Sequence, residues 1–169
     1  MKKKIHVFAV IMTVVSMVMV SCTDDLHQTA GEYTFKTSGS VTLTSGDKSE
    51  TLLLNNEIGS LSIINKNDKD GGIILTINSS YGPVQIATGR IEGKILLIDA
   101  YTRSLVCTEL KSQILQPDVV KMTFDDVDVT GIGERYDDTI IFTWTYEGVS
   151  TDGTVTLKGT NIKTIATRK

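Results

Sequence analysis

The chain has 169 residues, a formal net charge of −3, two cysteines and two histidines. That length suits one domain with a sizeable core, and the acidic balance argues against nucleic acid, which calls for a basic stripe. Both histidines, His6 and His27, precede the patterned part of the chain, so that part contains no imidazole of its own to act as base or ligand.

Lys2, Lys3 and Lys4 open the chain, and Ile5 to Val20 is a sixteen-residue apolar run broken only by His6, Thr13 and Ser16. Such a run falls short of the roughly 20 residues that cross a bilayer and fits the core of a secretory signal peptide. An ordinary cut site prefers a small residue at the position held by Met19, and the residue after Ser21 is Cys22. Met19-Val20-Ser21-Cys22 resembles the lipobox of bacterial lipoproteins, and Asp24-Asp25 is similar to the export signal of Bacteroidota surface lipoproteins. The resemblance implies removal of a lipoprotein signal peptide, residues 1–21, and diacylation of the Cys22 thiol. It implies an outer-membrane lipoprotein exposed at the cell surface, with the membrane as partner through the acyl anchor. Two acyl chains give stable attachment where one gives marginal binding.

Residues 22–30 then form the lipidated N-terminus and tether, and residues 31–169 the folded domain. Without the leader, 14 basic residues face 20 acidic ones, a net charge of −6. An acylated Cys22 leaves Cys107 no disulfide partner. Cys107 follows Leu105 and Val106, a setting in which cysteine acts as a small hydrophobe, and no histidine is at hand to activate it.

From Glu32 onward the apolar period is two. Tyr33, Phe35, Thr37, Val41 and Leu43 share one parity, with Gly39 as a bend in a long first strand. Leu52 to Leu54 and Gly59 to Ile64 follow. Asn65 to Gly72 is turn chemistry ending in an Asp-Gly pair, before Ile73, Leu75 and Ile77. Tyr81-Gly82-Pro83 makes a turn into strands at Val84–Arg90 and Lys94–Thr102. The second puts Ile95, Leu97 and Tyr101 on one face and Leu96, Ile98 and Ala100 on the other. Ser104 to Pro117 is ambiguous: Glu109 to Leu115 could make two helical turns closed by Pro117, or a long connection.

Strand pattern returns at Val119–Val129 with a parity switch at Asp125-Asp126, as an extra bulge residue would produce. Gly131-Ile132-Gly133 breaks it. Thr139–Glu147 alternates Ile140, Phe142, Trp144 and Tyr146 with polar residues, and Thr154–Thr167 closes the domain through Val155, Leu157, Ile162 and Ile165. About nine or ten strands at this spacing imply an all-β domain: a single antiparallel barrel, with a sandwich or an elongated lipid-binding fold as the alternative. The Gly31-Glu32-Tyr33 opening and alternating meander resemble the lipocalin or calycin-like barrel lipoproteins, although no Gly-x-Trp motif occurs near the start.

Gly131-Ile132-Gly133 lacks the third glycine and helix of a dinucleotide loop, since Tyr136 holds that place. Asp68, Asp70 and Gly71 fail the calcium-loop frame, which would put Lys66 and Ile77 where carboxylates belong. Asp125, Asp126 and Asp128 read as a solvated strand face, or as paired carboxylates for glycoside hydrolysis. Phe142, Trp144, Tyr146 and Tyr101 read as core or, in a calycin-like barrel, as a cavity wall. The expectation is a non-enzymatic, lipid-anchored envelope protein without metal or cofactor, binding a small apolar ligand or a partner protein. A carboxylate-dependent glycan hydrolase and a structural or inhibitory lipoprotein without small ligand are the alternatives.

Overall fold

The computed structural model describes residues 27–54, 57–66, 70–80, 82–108 and 121–169, and of residues 106–108 and 121–122 the backbone alone. The signal segment, Cys22 and the helix considered over 109–115 lie outside the described residues. Ten strands follow the period-two pattern: β1 (Gly31–Ser38), β2 (Ser40–Ser45), β3 (Lys48–Leu53), β4 (Glu57–Asn65), β5 (Gly72–Ser79), β6 (Gln85–Glu92), β7 (Ile95–Thr108), β8 (Lys121–Tyr136), β9 (Thr139–Val149) and β10 (Thr156–Arg168).

The sheet runs β1-β4-β5-β6-β7-β8-β9-β10 and returns to β1, all antiparallel. Tyr33 lies opposite both Leu61 of β4 and Arg168 of β10. An eight-strand barrel is therefore closed, which decides against the sandwich, and closure leaves those strands no free edges. β2 pairs with the first part of β10, from Leu43 opposite Leu157, and carries β3 as its hairpin partner. Gly39 separates β1 from β2 at φ 146, where a Cβ would stand 3.0 Å from the Ile162 Cα. Glycine lets one chain bend there and pair twice with the same strand.

Three bulges set which residues face inward. Opposite Arg103 and Leu105 stand Val127 and Phe124, so β8 holds one extra residue at Asp125-Asp126. Phe124 and Val127 are both buried as a result. A second bulge at Asp99-Ala100 in β7 turns Tyr101 to the inside beside Leu96 and Ile98, away from the face of Ile95 and Leu97. A third, at Thr160-Asn161 in β10, uses Asn161 at φ 58, a region asparagine tolerates. It moves Thr164 and Ala166 inside, leaving Ile165 exposed in place of the core role its apolarity suggests.

Gly131-Ile132-Gly133 does not break β8. Gly131 sits opposite Trp144 and Gly133 opposite Phe142 on the inner face, and the rings lie directly over them. A Cβ on Gly131 would come 2.1 Å from Trp144 Cε3, and one on Gly133 2.8 Å from Phe142 Cε1. The glycines make room for aromatic rings inside a continuous strand. β7 likewise runs six residues past Thr102, so Ser104 to Thr108 is strand.

Candidate functional site

All four aromatic residues expected to wall a cavity meet inside the barrel. Phe142 and Trp144 stack with centroids 5.1 Å apart, and Tyr101 meets Trp144 edge-on at 6.4 Å, both favoured ring geometries. The Trp144 indole donates to Thr164 Oγ1 at 3.0 Å, and Thr164 shares a 2.7 Å hydrogen bond with Thr37 across β1 and β10. The space they leave, bounded also by Leu75 and Ile77, is about 20 Å³. That holds one water, far less than the several hundred Å³ of a small-molecule site. The aromatic residues of β9 are thus packed core, because the glycines of β8 let the rings settle flat against the sheet.

Above them lies a buried ion pair. Arg103 Nη2 is 2.7 Å from Glu57 Oε1, and both side chains are 3% exposed. Ser79 donates to the same carboxylate oxygen at 2.5 Å, and Arg103 Nη1 donates to the Tyr146 hydroxyl at 3.3 Å. Arg103 Nε has no hydrogen-bond partner. Burial pushes the Tyr101 phenol up to about 12 and that of Tyr146 higher, the Arg103 charge offsetting part of each shift. Neither member of the ion pair stands out in the sequence as a functional residue. The signal was there, since Glu57 shares the parity of Leu61 and Ile63, and Arg103 that of Leu105. A charge on an apolar parity marks a buried partner.

The other end is closed by the chain itself. His27 to Thr29 form a short helical turn, and Thr29 is fully buried. Arg135 Nη1 donates to Gln28 Oε1 at 2.6 Å. Arg168 donates to the carbonyl oxygens of Ala30, at 3.0 Å, and of Gln28, and to the Tyr33 hydroxyl at 2.9 Å. Its guanidinium stands 5.2 Å from the Tyr33 ring centroid. Tyr33 donates to the Thr29 carbonyl at 2.7 Å, and burial raises its phenol pKa against the opposing pull of Arg168. The last residues expected in the tether are thus bound to the barrel.

Outside, at the ends of β8, β9 and β10 farthest from this latch, lies an open cleft of about 700 Å³. The bulge turns both Asp125 and Asp126 outward, and Asp128 follows on the same surface, so the cluster singled out in the sequence lines this cleft together with Glu147. Asp128 faces Glu147 across the β8–β9 pair, an unfavourable match. Lys158, opposite Glu147 on β10, relieves it with a 2.8 Å ion pair. Thr151 Oγ1 donates to Asp125 at 2.8 Å. At the rim, the Ser150 hydroxyl and the Thr154 amide donate to Asp152 and hold its carboxyl below the usual range. Among the described residues no group of three or more histidine, cysteine, aspartate or glutamate side chains could hold a metal ion. Asp70 lies in a turn, and Asp68 is outside the described residues.

No protein-family model matches the chain, and no curated protein matches it. Among solved structures it is similar to a point mutant of the vaccine antigen transferrin binding protein B from Haemophilus parasuis. The match has 12% identity and a TM-score of 0.35, over 83% of this chain and 27% of that one. This chain thus spans little more than a quarter of that protein, and so distant a likeness decides nothing about activity or partners.

Proposed function

We propose that this chain is a lipid-anchored, non-enzymatic binding protein of the cell envelope, with the barrel as a filled scaffold and the outer acidic cleft as the binding surface. The contrast in room supports this: the space between the packed aromatic residues inside is about 20 Å³, whereas the cleft offers about 700 Å³. A partner protein or a polar, cationic ligand suits the cleft, where Asp126 and Asp128 are exposed and unscreened negative potential favours positive charge. An apolar ligand would have to displace packed rings. Attachment through Cys22 supplies residence at the membrane, so the domain itself needs no lipid-binding face.

Mass spectrometry of the full-length protein, purified without denaturant, tests the scaffold reading. The expected mass is that of the acylated chain with no apolar molecule held inside. A stoichiometric lipid that survives removal of detergent would overturn it. A Cys22→Ala variant is expected to lose acyl incorporation and move to the soluble fraction; unchanged membrane association would sink the anchor.

A second reading, a carboxylate-dependent glycan hydrolase, draws on Asp128 and Glu147 at directly opposed positions in the cleft. Such a pair can place two carboxyl groups at the roughly 5 Å separation that retaining hydrolysis uses. Against it, Glu147 is already paired with Lys158, and none of the described residues lining the cleft is aromatic. Glycan turnover abolished by Glu147→Gln would establish it.

A further inference from the structure

We infer that the barrel stands on the membrane with its arginine-latched end inward and its acidic cleft directed away, because the N-terminal segment is bound to the barrel before β1 begins. The inference rests on the Cys22 anchor proposed above. It adds an orientation that attachment alone does not supply.

The latch shortens the leash. With Gln28, Thr29 and Ala30 held by Arg135, Arg168 and Tyr33, only Thr23 to Leu26 lie between the acylated cysteine and His27. Five residue steps at 3.3–3.6 Å span at most about 16–18 Å. Without the latch, nine steps to Gly31 would span about 30–32 Å. The barrel is longer than the short leash allows for inversion. From Thr139, beside the latch, to Glu147 in the cleft, β9 climbs eight residues, about 26 Å along the strand, or roughly 20 Å along the axis at a common barrel tilt. The two hairpin ends extend beyond those limits. Standing the barrel on its cleft end would lift the latched end beyond the reach of its own leash, and laying it on its side would press the acidic wall of β8, β9 and β10 against the lipid, which charge opposes.

Charge acts in the same sense. Among the described residues lining the cleft, Asp125, Asp126, Asp128 and Glu147 stand against a single cation, Lys158, with Asp152 beside them next to Ser150. At the latched end Arg90, Lys94, Arg135, Arg168 and Lys169 balance Glu32, Glu92, Glu134, Asp137 and Asp138. An anionic lipid surface repels the first of these ends more than the second.

The test uses the full-length acylated protein in a Cys107→Ser background, reconstituted into phosphatidylcholine and phosphatidylglycerol vesicles that carry a nitroxide on the lipid headgroup. Fluorophores are placed singly through Lys94→Cys, at the latched end, and Asp126→Cys, in the cleft. The Lys94 probe is expected to be quenched several-fold more than the Asp126 probe. Arg168→Gln, confirmed as folded by circular dichroism, is expected to narrow that difference. Equal quenching, stronger quenching in the cleft, or a difference untouched by Arg168→Gln each overturns the inference while the anchor stands. Failure of the unlabelled protein to associate with vesicles overturns the anchor, and the orientation with it.

Discussion

The two ends of the barrel interior are both closed by arginine, in opposite ways. Arg103 reaches across from β7 to Glu57 on β4, two strands that are not neighbours in the sheet, and both side chains are sealed from water. Arg168 instead binds carbonyl oxygens of the segment preceding β1, and its own side chain remains 29% exposed. The first is a charge pair within the core, where loss of one member strands the other. The second is a set of hydrogen bonds at the barrel's rim, part-buried or exposed, where water can reach the arginine. The same side chain thus locks a fold or merely holds a segment, according to what surrounds it.

The largest expected break of that contrast is at Glu57. Glu57→Gln leaves the Arg103 charge without its counterion and is expected to lower stability by about 3–5 kcal/mol in urea unfolding. Replacing both partners, Glu57→Leu with Arg103→Met, should recover most of the loss. A cost under about 1 kcal/mol for the single change would erase the difference between the ends. Next in size is Gly131→Ala, between the two ends, where the new methyl would meet Trp144 Cε3. Overpacking there should cost about 1–3 kcal/mol and alter the near-ultraviolet tryptophan spectrum. An unchanged spectrum and urea midpoint would show that the ring can move aside.

Alkali sharpens the contrast. Tyr101 and Tyr146, beside the ion pair, have phenol pKa values raised by burial, Tyr101 to about 12. A raised folded-state value means the folded protein holds its proton after the unfolded chain has lost it. The associated stability is complete below about pH 10, the unfolded value, and is lost as pH rises through 12. Urea midpoints should fall over that window, with a smaller fall in Tyr101→Phe. The smallest effect is at the latch. Arg168→Gln should cost less than about 1 kcal/mol overall while amide exchange at Thr29 and Ala30 accelerates. A global loss as large as that of Glu57→Gln would make the latch part of the core.

Much of the barrel was legible in the chain. Tyr33, Phe35, Thr37, Val41 and Leu43 announced their shared face, Gly39 its bend, and Asp125-Asp126 its bulge, because each leaves a local mark on a period of two. The other bulges were not legible. Asp99-Ala100 and Thr160-Asn161 lie among residues whose parity reads equally well on either face, and only the partner strand decides. The acidic cluster was visible as a cluster, but its place in a cleft depends on Glu147 and Lys158, brought alongside by pairings of β8, β9 and β10. Gly131 and Gly133 look like turn residues in one dimension. They belong to a strand because of rings that arrive from the next one. The Arg103–Glu57 pair leaves half a mark: each charge sits on an apolar parity and so announces burial, but the partner that neutralises it stands 46 residues away.

Joining β1 to β10 has a kinetic consequence. Tyr33 and Arg168 meet across 135 residues, and no ring exists until that junction forms. Hairpins such as β4–β5 and β8–β9 can assemble locally within microseconds, yet each leaves half its hydrogen-bonding groups open until its neighbours arrive. Closure of so long a loop carries its entropic cost before any reward, which places the protein among the slow folders of its size. The thirteen-residue final strand therefore keeps its inner face in water until the junction with β1 is made.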